Sequence, residues 1–226
     1  MIERSLEKYL ISTCLFVIDD FNERYKNFPA GSSELKFEAD TCYSEADLVV
    51  RLGYPFRQMA NFSLKTSKGK EGSFNDIVVK ERDFRIEVKY IRNSKSNSKN
   101  AAYSVHYNWS PVEEDFSWLI SEVSIGNKGK RAFIIGWFNS IAQFSDQMQL
   151  GDGGGRYPLV NSKRMKYFPF LGYDDSTCNM KSVMYNYKSA YTPIQLDLPQ
   201  LRIEGKTVEC LFLGEPEDKF HFALYY

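Results

Sequence analysis

Asp76, Glu87 and Lys89 are the residues of this chain whose types and spacing could do chemistry. They fall in Asp76-Ile77-Val78-Val79-Lys80 and Phe84-Arg85-Ile86-Glu87-Val88-Lys89-Tyr90-Ile91. Both runs are rich in β-branched and aromatic residues and flank a turn around Glu81 to Asp83, so they read as a hairpin. Side chains alternate along a strand, which puts Glu87 and Lys89 on one face and Ile86, Val88 and Tyr90 on the other. A tight turn at Arg82-Asp83, or a longer loop from Glu81 to Phe84, sets Val78 against Glu87 and Asp76 against Lys89. Either register keeps Asp76 on the face of Glu87 and Lys89; a slip of one residue would remove it.

Two carboxylates and a lysine on one face suit a hard divalent cation such as Mg²⁺ or Mn²⁺, with a positive group beside it. Such a cation can acidify a water and stabilise charge on a phosphoryl group. The lysine could orient or deprotonate that water, or balance negative charge in the transition state. The plainer alternative is a solvated cross-strand ion pair on an exposed face. Burial separates the two, since charge on a covered strand is costly unless it is paired or holds a metal.

The element before the hairpin also carries acids. Ser44 and Asp47 have the spacing of a weak capping box, which predicts a helix from Ser44 with Leu48, Val49 and Leu52 as its buried stripe. Glu45 and Asp47 both stand in its first turn, and either is suited to capping. Upstream, Leu6, Leu10, Cys14, Val17, Ile18 and Phe21 recur at helical spacing, predicting an amphipathic helix within residues 2 to 25. Residues 31 to 43 read as a connection with one short strand at Leu35 to Phe37, and Asn61 to Lys65 as another strand. After Pro111 the run Val112 to Val123 reads as a helix with acids in its first turn. Arg131 to Phe138 is nearly all apolar and reads as a strand covered on both faces.

Asp-Ile-Val-Val followed by Arg-Ile-Glu-Val-Lys-Tyr resembles the Asp…Glu-x-Lys core of the PD-(D/E)xK nuclease superfamily. Ser44-Glu45-Ala46-Asp47-Leu48 is similar to its helical acidic motif. The order helix, three strands, helix, strand also matches its common core, over roughly residues 44 to 138. The proline that names the motif is absent, since Asn75 precedes Asp76. The resemblance implies an α/β fold, a mixed central β-sheet flanked by helices with a restriction-endonuclease-like core. It implies that Asp76 and Glu87 bind Mg²⁺ (or Mn²⁺) with the Val88 carbonyl contributing. Lys89 would serve the attacking water, and Glu45 would complete or orient the metal shell. The expected activity is a nuclease that hydrolyses nucleic-acid phosphodiesters, DNA ahead of RNA. The alternative is a non-catalytic interaction protein on the same scaffold: an inhibitor, immunity or assembly factor.

Composition bounds the rest. The 226 residues make one large domain, or a core in residues 1–150 with a β-rich C-terminal extension in 151–226. Lys and Arg number 29 and Asp and Glu 29, so no polycationic surface exists overall, and any nucleic-acid contact must come from local clusters. Lys65, Lys68 and Lys70 precede the hairpin; Arg92, Lys95 and Lys99 follow it. Lys163, Arg164 and Lys166 are interleaved with aromatics, a mixture suited to nucleic acid. Gly151 to Arg156 lacks the Lys-Ser/Thr of a P-loop and reads as a surface turn, while His106 and His221 stand apart from any partner for a catalytic triad. Cys14, Cys42, Cys178 and Cys210 form no zinc-binding pair. With no apolar run long enough to span a bilayer, a reduced, soluble, cytoplasmic protein is expected. A homodimer or protein partner would suit double-strand cleavage.

Overall fold

The computed structural model describes residues 5–62, 75–91, 102–139, 141–152, 159–173, 185–187 and 190–226. Helix α1 (Leu6–Arg24) buries the expected stripe Leu6, Leu10, Cys14, Val17, Ile18 and Phe21. The stretch read as a connection with a strand is instead helix α2 (Ser33–Thr41). Ser32 caps it by accepting the Leu35 N–H at 3.1 Å, and Leu35 and Ala39, four apart, are its buried anchors. Helix α3 (Glu45–Gly53) follows, with the complete Ser44–Asp47 capping box and Leu48, Val49 and Leu52 buried.

Strands β1 (Ala60–Phe62), β2 (Ile77–Val79) and β3 (Phe84–Ile91) form an antiparallel meander. Helix α4 (Ala102–Ser124) then crosses to β4 (Arg131–Phe138), which lies parallel to β3. β4 is buried along its whole length, as its apolar run predicts. Helix α4 starts before Pro111, not after it, and keeps the proline inside at the loss of one helical hydrogen bond. Glu113, Glu114 and Asp115 therefore sit mid-helix, beyond the reach of the N-terminal dipole that their sequence position suggested.

Towards the C-terminus come α5 (Ile141–Met148), β5 (Gly151–Asp152), β6 (Leu159–Val160), α6 (Ser162–Met165), β7 (Leu171–Tyr173) and β8 (Tyr185–Tyr187). Then follow β9 (Ile194–Gln195), α7 (Pro199–Glu204), β10 (Glu209–Leu213) and β11 (Phe220–Tyr225). Among the described residues the central sheet is seven-stranded and mixed, in the order β1-β2-β3-β4-β11-β10-β9. The C-terminal strands thus extend the same sheet, with β11 seated against β4.

Helices lie on both faces. One core packs α1, α2 and α3 on Ile77, Val79, Ile86, Val88, Tyr90, Ile134 and Phe222. The other packs α4, α5 and α7 on Ile91, Phe133, Ile135, Trp137 and Tyr225. By strand alternation Glu87 and Lys89 share the second face with Ile91, beneath α4. No helix among the described residues is long and apolar enough to cross a membrane.

Candidate active site

The hairpin register differs from the expected one by two positions. Val79 pairs with Phe84, Val78 with Arg85 and Ile77 with Ile86, and the ladder ends there with Asp76 just outside β2. The cause is the connection: Lys80–Arg82 coil into a 3₁₀ turn, and Asp83 closes it in the left-handed region at φ 54°. A shift by two preserves the alternation along β3, so Glu87 and Lys89 share one face, and Asp76 reaches β3 from just before β2.

β2 is short, and β3 runs on past it. That leaves the Val88 and Tyr90 N–H groups on this edge beyond the last β2 residue, and two carboxylates take them. Asp76 Oδ2 accepts from Val88 N at 2.8 Å, and Glu45 Oε2 accepts from Tyr90 N at 3.1 Å. The ambiguity between Glu45 and Asp47 is resolved by the cap. Asp47 Oδ2 accepts the Ser44 N–H at 3.0 Å and is spent on the helix end, while Glu45 reaches β3.

Asp76 and Glu87 are each only 3% exposed. This is not the solvated face of the plainer reading. Glu87 Oε1 accepts from Asn75 Nδ2 at 2.7 Å, which fixes the carboxylate. Lys89 Nζ lies 3.2 Å from Asp115 Oδ2 on α4 and 4.0 Å from Glu45 Oε1. The Lys89 and Asp115 side chains are 14% and 10% exposed, whereas that of Glu45 is 41% exposed. The shorter, drier contact to Asp115 is the stronger of the two, because solvent screens the other.

Among the described residues no three His, Cys, Asp or Glu side chains converge into a ready metal cage. The donor set that the resemblance implies is the pair Asp76 and Glu87, with the Val88 carbonyl. All are hard oxygens, the donor type such a cation prefers. That set fits a magnesium-type ion, which binds through one or two carboxylates and keeps its waters.

The basic clusters divide. Lys65, Lys68, Lys70, Arg92, Lys95 and Lys99 lie outside the described residues, as do most of Gly151 to Arg156 and the His106 side chain. Lys163 and Lys166 are exposed around α6. Arg164 has a packing role: its guanidinium lies 5.1 Å from the Trp109 ring centroid and donates to Gln149 Oε1 at 2.6 Å. Trp109 stands on α4 about 9 Å along the axis from Asp115, by the rise per residue.

Two residues at the site were not singled out in the sequence. Asn75 had no signal beyond standing next to Asp76. Asp115 had one: it interrupts the buried stripe Trp109, Val112, Phe116, Leu119 and Val123, where an acid needs a partner. Starting the helix after Pro111 puts Asp115 in the first turn, where the helix dipole already accounts for an acid. Compared with known proteins, the chain matches no family model, no curated protein and no solved structure.

Proposed function

We propose that the protein is a metal-dependent nuclease that hydrolyses nucleic-acid phosphodiesters, DNA ahead of RNA, in the cytoplasm. The observation that carries this reading is the burial of Asp76, bound to the Val88 N–H, and of Glu87 on the same stretch of β3 that bears Lys89. Burying two carboxylates at one place is destabilising and needs a purpose. The Asp…Glu-x-Lys spacing on a meander followed by a helix and a parallel strand adds support, since that order accompanies the motif in the nucleases it resembles.

In this reading Asp76, Glu87 and the Val88 carbonyl hold Mg²⁺ or Mn²⁺. The ion supplies an acidified water and Lewis-acid stabilisation of the phosphoryl oxygens. Lys89 presents its ammonium to the attacking water or to the charge that builds on the phosphate. Glu45, anchored on the Tyr90 N–H, orients groups around the ion.

The test is cleavage of supercoiled plasmid, linear duplex, single-stranded DNA and RNA with Mg²⁺ or Mn²⁺. Wild type, Asp76→Ala and Lys89→Ala are run beside an EDTA control. Metal-dependent cutting that disappears in both variants supports the assignment; cutting that survives both removes it.

One observation favours a second reading, a non-catalytic interaction protein. Phe16 on α1, Val50 on α3 and Tyr54 just after α3 are exposed around a shallow apolar groove that also includes Val17. Such a patch suits a protein partner. Absence of both cleavage and metal-induced thermal stabilisation would favour it.

A further inference from the structure

We propose that Asp115 is a positioning residue for Lys89, holding its ammonium at a fixed place relative to the Asp76–Glu87 pair; this rests on the nuclease reading above. Lysine has a long, freely rotating stem, and its terminal group is a point charge without the planar fork of arginine. A strand fixes the Lys89 Cα, but four side-chain torsions separate that atom from the nitrogen that must meet the substrate. Something outside the strand must select the rotamer.

Asp115 is the group placed to do it. Its Oδ2 lies 3.2 Å from Lys89 Nζ, and it projects from α4, the helix that covers this sheet face. The neighbours along the helix, Val112, Phe116 and Leu119, are all buried against the second core, so the Asp115 backbone is held in place by packing. Phe116 alone packs its ring on Phe133, Tyr167, Phe168 and Tyr225. Glu45 is the lesser anchor. It stands at 4.0 Å, is half-exposed, and has its other oxygen on the Tyr90 N–H.

The arrangement is thus a lysine pinned from the helical layer while the carboxylates are pinned from the sheet edge. Displacing a reacting group by about 1 Å can lower a rate on the order of 100-fold. Loss of a positioning contact of this kind reduces turnover and leaves substrate binding nearly as it was.

The experiment compares wild type, Asp115→Asn, Lys89→Gln and the double variant on the nucleic acid that the wild type cuts. Steady-state cleavage is read together with the Mg²⁺-induced rise in Tm of each protein. Asp115→Asn is expected to lose roughly 100-fold in kcat with KM changed by less than about 3-fold. Its Mg²⁺-induced rise in Tm should match that of wild type, because Asp115 is not among the metal donors. The double variant should be no slower than Lys89→Gln, since both changes then act through one group. It also removes both charges of the pair, which guards against loss of folding from a single buried charge. Cleavage by Asp115→Asn within about 3-fold of wild type, with Lys89→Gln inactive, overturns the positioning role and leaves the nuclease reading standing. Loss of the Mg²⁺ response in Asp115→Asn overturns it too, by making Asp115 part of the metal site. Wild-type protein that neither cuts nor gains Tm with Mg²⁺ overturns both.

Discussion

Asn75 donates its side-chain amide to Glu87 Oε1 at 2.7 Å, and both side chains are buried at the point where β2 is about to begin. A proline at this position would stiffen the backbone but offer no donor. Here the same position supplies a hydrogen bond to the second acid, so the two carboxylates are tied through adjacent residues, Asn75 and Asp76.

Asn75→Ala should leave a buried carboxylate oxygen short of a donor and cost about 1–3 kcal/mol of stability. Asn75→Asp is the more informative change. It sets a second carboxylate beside Glu87, and like charges at that distance repel. Without divalent cation the variant should melt below wild type; with Mn²⁺ or Mg²⁺ it should recover more Tm than wild type gains. A cation response no larger than that of wild type would separate Asn75 and Glu87 from the proposed metal site.

Much of this was legible in the residues, and the parts that were not have physical causes. The α1 stripe, the α3 capping box and the fully covered β4 are local patterns, set by periodicity and capping within one segment. Glu87 and Lys89 share a face as alternation along β3 requires, while Asp76 lies outside the paired ladder. The register itself was missed, since it depends on Asp83 accepting a left-handed conformation within the turn. Helix α2 was missed because Leu35 and Phe37 alternate like a strand, while its burial runs through Leu35 and Ala39. Asp115 is obscured because a helix starting at Val112 puts it in the first turn, whereas the helix runs through Pro111 and leaves it mid-helix.

Arg131 opens β4 and joins three elements. Its Nε donates to Glu122 Oε2 of α4 at 2.5 Å, its Nη1 to the Asp83 carbonyl at 2.5 Å, and its Nη2 lies 3.4 Å from Asp83 Oδ1. It is 3% exposed, so these are the contacts of a buried charge. Arg131→Met should cost about 3–5 kcal/mol in urea unfolding, since Glu122 loses its cationic partner and the β2–β3 turn its anchor. Arg131→Lys should recover only part, because an ammonium lacks the fork that serves both partners. A loss below about 1 kcal/mol in Arg131→Met would show that the turn holds itself.

Gly136 is where α3 meets the sheet. A Cβ built there would stand 2.8 Å from Leu48 Cδ2 and 2.9 Å from Phe220 Cε1. The missing side chain lets α3 settle on β4, and α3 carries Glu45 to the Tyr90 N–H. Gly136→Ala should therefore destabilise by about 1–3 kcal/mol through overpacking. Trimming the neighbour, as Leu48→Ala in the same chain, should make the pair less damaging than the sum of the two changes. Additive losses would mean that the crowding is relieved elsewhere than at α3.

His221 supplies a pH dependence that does not involve the site. Its ring is fully buried against Trp137 and Phe212, with Nε2–H donating to the Glu215 carbonyl at 2.9 Å. Burial disfavours the imidazolium and lowers its pKa from 6.5 to about 4, against smaller opposing effects from the Glu215 carbonyl and Asp218. In the unfolded chain the ring titrates near its ordinary value, so below pH ~6.5 the unfolded state binds a proton that the folded state refuses. The sign is therefore a stability present above pH ~6.5 and lost progressively as the pH falls to about 4, amounting to roughly 3 kcal/mol. Urea unfolding of wild type and His221→Asn between pH 7 and pH 4 isolates this contribution, because the carboxylates are common to both proteins. The difference between the two should narrow across that window as wild type loses the advantage of a neutral buried ring. Parallel stability curves would mean that His221 is protonated in the folded protein and that its packing tolerates the charge.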